Sequence, residues 1–466
     1  MSTAPAEALE AWPEQPLESP AFRAPSLGTH TVVLVVLLVF GAPAAYFIRA
    51  GDLLAGTLMA AVPFTVVCLL EPFIGLCYLF AISPLDCIYD VGIPYFSGSK
   101  ALGIPVGLGF LIHFAFRPEM RFHVAREVKV LWALAIWSLL SAAWSVAPLH
   151  TMFSCTSLFL LSTFMLLVVG MVRTPAHMKQ LLLYVLIGCL LMGALATVAP
   201  SNIAVAKRKT FSEVNPNNFG RALAFGVFCG IFLAGQARRG LGKFFYGFAA
   251  AFLLVPIVGT LSRGTFFALG GAVLGASVVT FRRHSLKGLT LIAGAAVLTV
   301  GLVYALNRAG FFVGTSVERL STPLAEAGES RFAIWQAGMN VGFQRPIRGW
   351  GFGTFSYASG TGRDPHDNYL KLFTELGFPG LGLWLLALTL AGLSALRAPT
   401  GRRSFLTAGL LSMLLLGGVF MNDFSTKTVW YELGVILAMN YMIASGADRG
   451  DFPPEAEELD WAGYGP

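Results

Sequence analysis

Fourteen apolar stretches dominate the chain, near 31–48, 53–70, 72–88, 101–116, 130–145, 153–172, 181–199, 218–235, 245–260, 265–281, 287–306, 371–396, 404–421 and 428–446. Runs of about 18 apolar residues are long enough to cross a bilayer as helices. The hydrocarbon interior offers no partner for backbone N–H and C=O groups, so only helices and closed barrels can span it. These runs are continuously apolar rather than alternating, which excludes the barrel. The predicted fold is an all-α polytopic membrane protein of about 12–14 transmembrane helices with one large outward loop. The lower figure reflects the stretches near 72–88 and 101–116, which are short and interrupted by Pro84 and Pro105. Composition agrees, because 12% of residues are charged, against about 25% in soluble domains.

Lysine and arginine set the expected orientation. They gather in alternate short loops: Arg117, Arg121, Arg126 and Lys129; Arg173 and Lys179; Arg238, Arg239 and Lys243; Arg282, Arg283 and Lys287; Arg397, Arg402 and Arg403. Short basic loops stay cytoplasmic. Both termini are therefore expected inside, with the loops 200–217, 261–264, 307–370 and 422–427 outside. The net charge of +7 then reports topology and gives no argument for nucleic acid. Residues 1–28 have no apolar signal-peptide core and read as a disordered cytoplasmic N-terminus. Residues 29–446 form the transmembrane domain, with 307–370 as a large periplasmic loop, and 447–466 a disordered acidic cytoplasmic tail. The six cysteines have no CxxC pair and read as small buried hydrophobes. A bridge between Cys87 and Cys155 on the outer face is the alternative.

Chemistry is expected in the 307–370 loop, since loops this long are either functional or disordered and this one is not low in complexity. Its segment Ser330–Phe343 puts Trp335, Met339, Gly342 and Phe343 on one helical face, which predicts a short helix lying on the membrane surface. The phrase PIRGWGFGTF, Pro346–Phe355, follows as a tight glycine-rich turn. Then Pro365-His366-Asp367-Asn368-Tyr369-Leu370 opens the next span. Asp367 or Asn368 suits a helix N-cap. A cap needs no histidine, and an imidazole titrating near ~6.5 can take a proton at neutral pH. The local sequence leaves a cap alone, and a cap with a base beside it, both open.

Of the seven histidines only His150 and His366 fall outside, and His150, in a short connector, reads as an interfacial polar residue. Basic residues on the outer face favour chemistry at His366. Lys207, Arg208 and Lys209 lie in an outer loop, Arg221 starts a span, Arg263 occupies a tight turn between two spans, and Arg331, Arg345 and Arg348 lie in the long loop. Any one of them could snorkel to lipid phosphates. Several planar guanidinium forks on one face suit a membrane-held anion such as a lipid pyrophosphate. No GxxxxGK[ST], HExxH, GxSxG or DxD phrase is present, so ATP-driven, metalloprotease and metal-bound nucleotide-sugar readings have no support.

Taken in order, Asn215-Pro216-Asn217-Asn218, Leu261-Ser262-Arg263-Gly264, Ser330-Arg331 through Trp335, Pro346 through Phe355, and His366-Asp367-Asn368-Tyr369-Leu370 with Glu375-Leu376-Gly377 resemble the O-antigen ligase and polysaccharide polymerase family of bacterial envelopes. The resemblance covers about 200–395; in the family the last phrase is usually His-Asn directly, and here Asp367 stands between. It implies a C-type membrane glycosyltransferase in the bacterial inner membrane, with its site facing the periplasm and needing neither cofactor nor metal. Its donor would be an undecaprenyl-pyrophosphate-linked glycan, and its acceptor a second glycan or lipid A–core. Membrane lipids and polysaccharide export or chain-length proteins would be its partners. Carried over, Arg221, Arg263 and Arg331 would hold the pyrophosphate, His366 would be the general base, and Asp367 and Asn368 would support the site as a helix cap. Polymerase is the first expectation and ligase the second; a lipid-linked glycan flippase is the reading from another class.

Overall fold

A computed structural model describes residues 24–82, 84, 98–116, 124–198, 201–203, 208–210, 215–283, 301, 304, 305, 308, 310, 324–397, 404–421, 424 and 426–445. The expected terminal segments up to residue 23 and from 446, most of the span near 287–306, most of the outer loop before 324, Lys207 and Cys87 lie outside these residues.

The helices are α1 (Leu27–Arg49), α2 (Leu53–Leu70), α3 (Pro72–Ala81), α4 (Gly98–Phe116), α5 (Arg126–Leu140), α6 (Pro148–Met171), α7 (Pro175–Val198), α8 (Pro216–Gln236), α9 (Gly240–Gly259), α10 (Arg263–Arg283), α11 (Leu324–Gln344), α12 (Phe355–Ala358), α13 (Asn368–Arg397), α14 (Phe405–Phe420) and α15 (Lys427–Ala444). A two-stranded antiparallel hairpin, β1 (Ser201–Ile203) with β2 (Arg208–Thr210), joins α7 to α8. Among the described residues, seven helices are long and apolar enough to cross a membrane, and five shorter apolar helices accompany them. The protein is an all-α polytopic membrane protein, its hairpin aside.

Burial separates the inner helices from those facing lipid. In α1 the residues Val32, Leu34, Val35, Leu38 and Val39 are all exposed, a pattern that only a lipid solvent makes tolerable. By contrast α8 and α15 are buried along most of their length. Where helices approach closely, small residues allow it. Gly271 and Gly275 of α10 face Ser412, Leu416 and Ala408 of α14 with no room for a side chain. Cys68, Cys77, Cys155, Cys189 and Cys229 are buried free thiols, so Cys155 takes no part in a bridge.

The long outer loop does contain a helix, α11, and two residues of its expected face are in contact, Gly342 with Phe373 and Trp335 with Pro365. Met339 and Phe343 are exposed, while Gly338 and Gly342 are buried against Phe355 and Phe373. The two glycines, four residues apart, let α11 lie flat on α13, where the Phe343 ring also meets Phe373 edge-on at 5.2 Å.

The helix α13 is broken at Gly377, whose φ of 68° and ψ of −170° leave the helical region. A break in a spanning helix orphans the preceding carbonyls, and these need partners where water is scarce. Each finds one. Thr374 O accepts from Trp350 N (3.1 Å), Glu375 O from Gly351 N (2.9 Å), and Leu376 O from the Trp137 indole N–H (2.9 Å). On the far side, Phe378 N donates to Pro346 O at 2.7 Å. The glycine-rich loop therefore completes the broken helix. A Cβ at Gly377 would lie 2.2 Å from Ile347 O, so glycine is required there for space as well as for φ.

Candidate functional site

Two of the sequence phrases form one structure at the start of α8 and α10. Asn215 caps α8 by accepting from Asn217 N (2.9 Å), and Pro216 takes the first helical position, where no N–H is needed. The Asn217 carbonyl oxygen of the side chain accepts from Ser262 Oγ (2.7 Å), and its backbone oxygen from Thr265 Oγ1 (3.3 Å). The turn carrying Arg263 is thus tied to the start of α8. Gly264 abuts Phe420 and Met421 at the end of α14, and just beyond, the Phe424 amide donates to Asn368 Oδ1 (2.9 Å). This chain of contacts puts the Arg263 turn and the His366 turn at the same end of the bundle.

The His366 turn is held on every side. Trp335 of α11 donates its indole N–H to Pro365 O (2.7 Å). Asp367 Oδ1 accepts from Leu370 N (2.8 Å), and Asn368 is buried with its side chain on Phe424. The residue that departs from the family's His-Asn pattern, Asp367, is therefore the helix cap. Burial pushes the Asp367 carboxyl up, opposed by the amides of Leu370 and Tyr369. His366 itself has φ of 53°. Among the described residues the only other non-glycine with positive φ is Leu261, in the turn before Arg263. Left-handed backbone costs about 1–3 kcal/mol and persists only where the surroundings enforce it. Both instances fall on turns that carry predicted site residues.

Charge around His366 favours a neutral ring. Burial pushes its pKa below the ordinary histidine value, Arg331 pushes it further, Asp364 opposes, and Lys371 lowers it again. Arg331 stands one helical turn before Trp335, on the face that meets the His366 turn. Lys371 Nζ donates to Asp364 Oδ1 (3.1 Å) and lies 4.0 Å from Glu375. Glu375 is fully buried and accepts from Gly353 N through Oε2 (2.9 Å) and Phe355 N through Oε1 (3.0 Å). It holds the end of the glycine-rich loop. Arg345 lies 3.8 Å over the Trp350 ring, pinning the start. Replacing Glu375 with Gln is expected to leave one of the two loop amides without an acceptor, a loss of about 1–3 kcal/mol. Cleavage within 346–355 under limited proteolysis should then appear in the variant and not in the wild type.

Arg221 has different surroundings. It lies within α8, 1% exposed, and forms a bidentate ion pair with Glu432 of α15, also buried, through Nε–Oε1 (3.1 Å) and Nη2–Oε2 (2.7 Å). The guanidinium predicted to meet a pyrophosphate is thus engaged in the bundle core.

A cavity of about 400 Å³ opens between α6, the glycine-rich loop and the base of α13. His150, Ser154, Tyr357, Asp364, Lys371 and Phe424 are in its wall. His366, Arg221, Arg263 and Arg331 are not, although Asp364 and Lys371, which both act on the His366 charge, form the wall nearest that turn. His150, read from sequence as merely interfacial, donates Nε2 to Gly353 O (3.0 Å) and meets the Tyr357 ring edge-on at 5.4 Å. Sequence reasoning also gave no role to Glu375, Lys371, Asp364 or Glu432. Glu375 was at least within a recognised phrase. Glu432 had one signal, a lone carboxylate in an apolar run. Among the described residues no group of three or more His, Cys, Asp or Glu side chains is placed to hold a metal ion.

Comparison with known proteins agrees with the motif reading. Residues 248–385 match the family model described as O-antigen ligase. The matched segment runs from α9 into α13 and contains Arg263, Arg331, the glycine-rich loop and His366, whereas His150, Arg221 and Glu432 lie outside it. No curated protein matches the chain.

Proposed function

We propose, for a membrane protein whose residues 248–385 carry the O-antigen ligase match, that it transfers a glycan from undecaprenyl pyrophosphate to an acceptor sugar hydroxyl at the outer face of the bacterial inner membrane. The observation that carries this reading is the His366 turn: backbone in the left-handed region, a ring whose pKa burial and Arg331 lower, and a position at the same end of the bundle as Arg263. In the proposed step the acceptor hydroxyl gives its proton to His366 while its oxygen forms a bond to the anomeric carbon. The bond from that carbon to the pyrophosphate oxygen breaks, and the electron pair leaves with undecaprenyl pyrophosphate. Fixed guanidinium groups stabilise the charge that develops there, a role for Arg263 and Arg331. A single displacement inverts the anomeric centre. Arg221 supports the site from within the bundle through Glu432.

The first reading is a polymerase, with a second lipid-linked repeat as acceptor. The description of the matched family favours a second, ligation onto lipid A–core. Deleting the gene and resolving envelope glycans on gels tests both. Loss of a polymerase should leave single-repeat products, and loss of a ligase long lipid-linked polymer; an unchanged pattern refutes both. The orientation has a separate expected result. A cysteine at Ser359 should react with an impermeant thiol reagent in intact cells with a permeabilised outer membrane, and reaction only after lysis would invert the topology.

A further inference from the structure

We propose that the cavity between α6, the glycine-rich loop and the base of α13 binds the acceptor saccharide; this rests on the glycan-transfer reading above. Its volume of about 400 Å³ falls within the range of small-molecule sites, about 300–1,000 Å³. The lining fits a neutral, polyhydroxylated ligand. On α6, His150, Ser154 and Ser157 follow at helical spacing and face the cavity, giving it a row of hydrogen-bonding groups. The rings of Phe352, Tyr357 and Phe424 line it as well. Tyr357 is 60% exposed and braced edge-on by His150, an open aromatic face for the C–H side of a sugar ring.

The charges in the wall argue against an anion. Lys371 is already bound to Asp364 and neighbours Glu375. The Asp364 side chain remains 40% exposed while holding that lysine, and a carboxylate accepts from sugar hydroxyls. The same Asp364 lies two residues before His366 and acts on its charge. A saccharide seated against Asp364 therefore lies beside the turn that carries the base, while the arginines assigned to the donor, Arg263 and Arg331, stay outside this cavity.

The test uses the full chain in lipid nanodiscs, with Cys87→Ser to remove the one cysteine outside the described residues and Ser356→Cys as a reporter in the cavity wall. Labelling by a small thiol reagent is followed with three probes: free repeat-unit oligosaccharide, core oligosaccharide, and undecaprenyl phosphate. Either saccharide should slow labelling about tenfold at about ten times its half-protecting concentration. Protection by undecaprenyl phosphate alone, or by none of the three, overturns the proposal. Kinetics supply the second arm. Ser157→Phe, which fills the cavity, and Tyr357→Ala, which strips an exposed ring, should each raise the acceptor KM at least about tenfold with the donor KM unchanged. A rise confined to the donor KM also overturns it. Protection by a saccharide in a wild type that transfers nothing would remove the transferase reading and support the cavity as a saccharide site, whereas transfer without protection would remove only the cavity assignment.

Discussion

His366→Ala should lower the transfer rate by about 10²- to 10⁴-fold, the range that a positioned base contributes, with little effect on thermal stability. The second half of that expectation follows from the turn's supports. Trp335, Asp367 and Asn368 hold the chain without using the imidazole, so removing the ring leaves the backbone path intact. The pH profile makes the assignment more specific. Only the neutral ring can accept a proton, so activity should fall as pH drops through the His366 pKa. Burial, with Arg331 next, places that pKa below the ordinary histidine value, so the acid limb should have its midpoint below about 6.5. Arg331→Gln removes a nearby positive charge and should move the limb to higher pH. Asp364→Asn removes the opposing negative charge and should move it lower. A limb that stays in place in both variants would assign it to another group. Full transfer by a correctly inserted His366→Ala protein would remove the base from the mechanism.

The second large effect concerns Arg221 and Glu432. Each neutralises the other in the bundle core, at 1% and 0% exposure. Arg221→Ala leaves Glu432 buried without that partner, which typically destabilises by about 3–5 kcal/mol. The variant should be recovered in low yield and aggregate on size exclusion, and Glu432→Ala should behave alike. The double replacement Arg221→Met with Glu432→Leu separates a strut from a ligand. Apolar residues of similar volume in place of a buried pair are often neutral or stabilising, so monodisperse protein should return. If Arg221 serves only as a strut, transfer returns with it, to at least about a tenth of the wild-type rate, a difference of about 1.4 kcal/mol in the barrier. A stable double variant that transfers nothing would give Arg221 back to the pyrophosphate.

What the sequence made legible follows from range. Span positions, the loop helix and the turn phrases depend on hydropathy and on neighbours a few residues apart, and among the described residues the structure has helices where the pattern put them. What α11 packs against was not legible, because Gly338 and Gly342 carry no hydropathy signal yet decide its contact with Phe355 and Phe373. Long-range pairing was equally hidden. Nothing near Arg221 announces Glu432, 211 residues later. Nor does a histidine in a short connector reveal that Gly353, 203 residues away, will lie against it. The break at Gly377 was visible only as a glycine followed by residues including Pro379; its meaning lies in the loop amides that complete it.

That distance between Arg221 and Glu432 has a consequence for biosynthesis. A chain inserted from its N-terminus brings α8 into the membrane long before α15 has been made. Until then a guanidinium in an inner helix lacks its carboxylate, and Asn368 lacks the Phe424 amide that α15 helps to fix through Trp430, whose indole donates to Phe424 O at 2.9 Å. Contacts of α8 and of the His366 turn therefore wait on a helix synthesised well after both. Every phrase recognisable in the sequence is made before α15 arrives to neutralise Arg221.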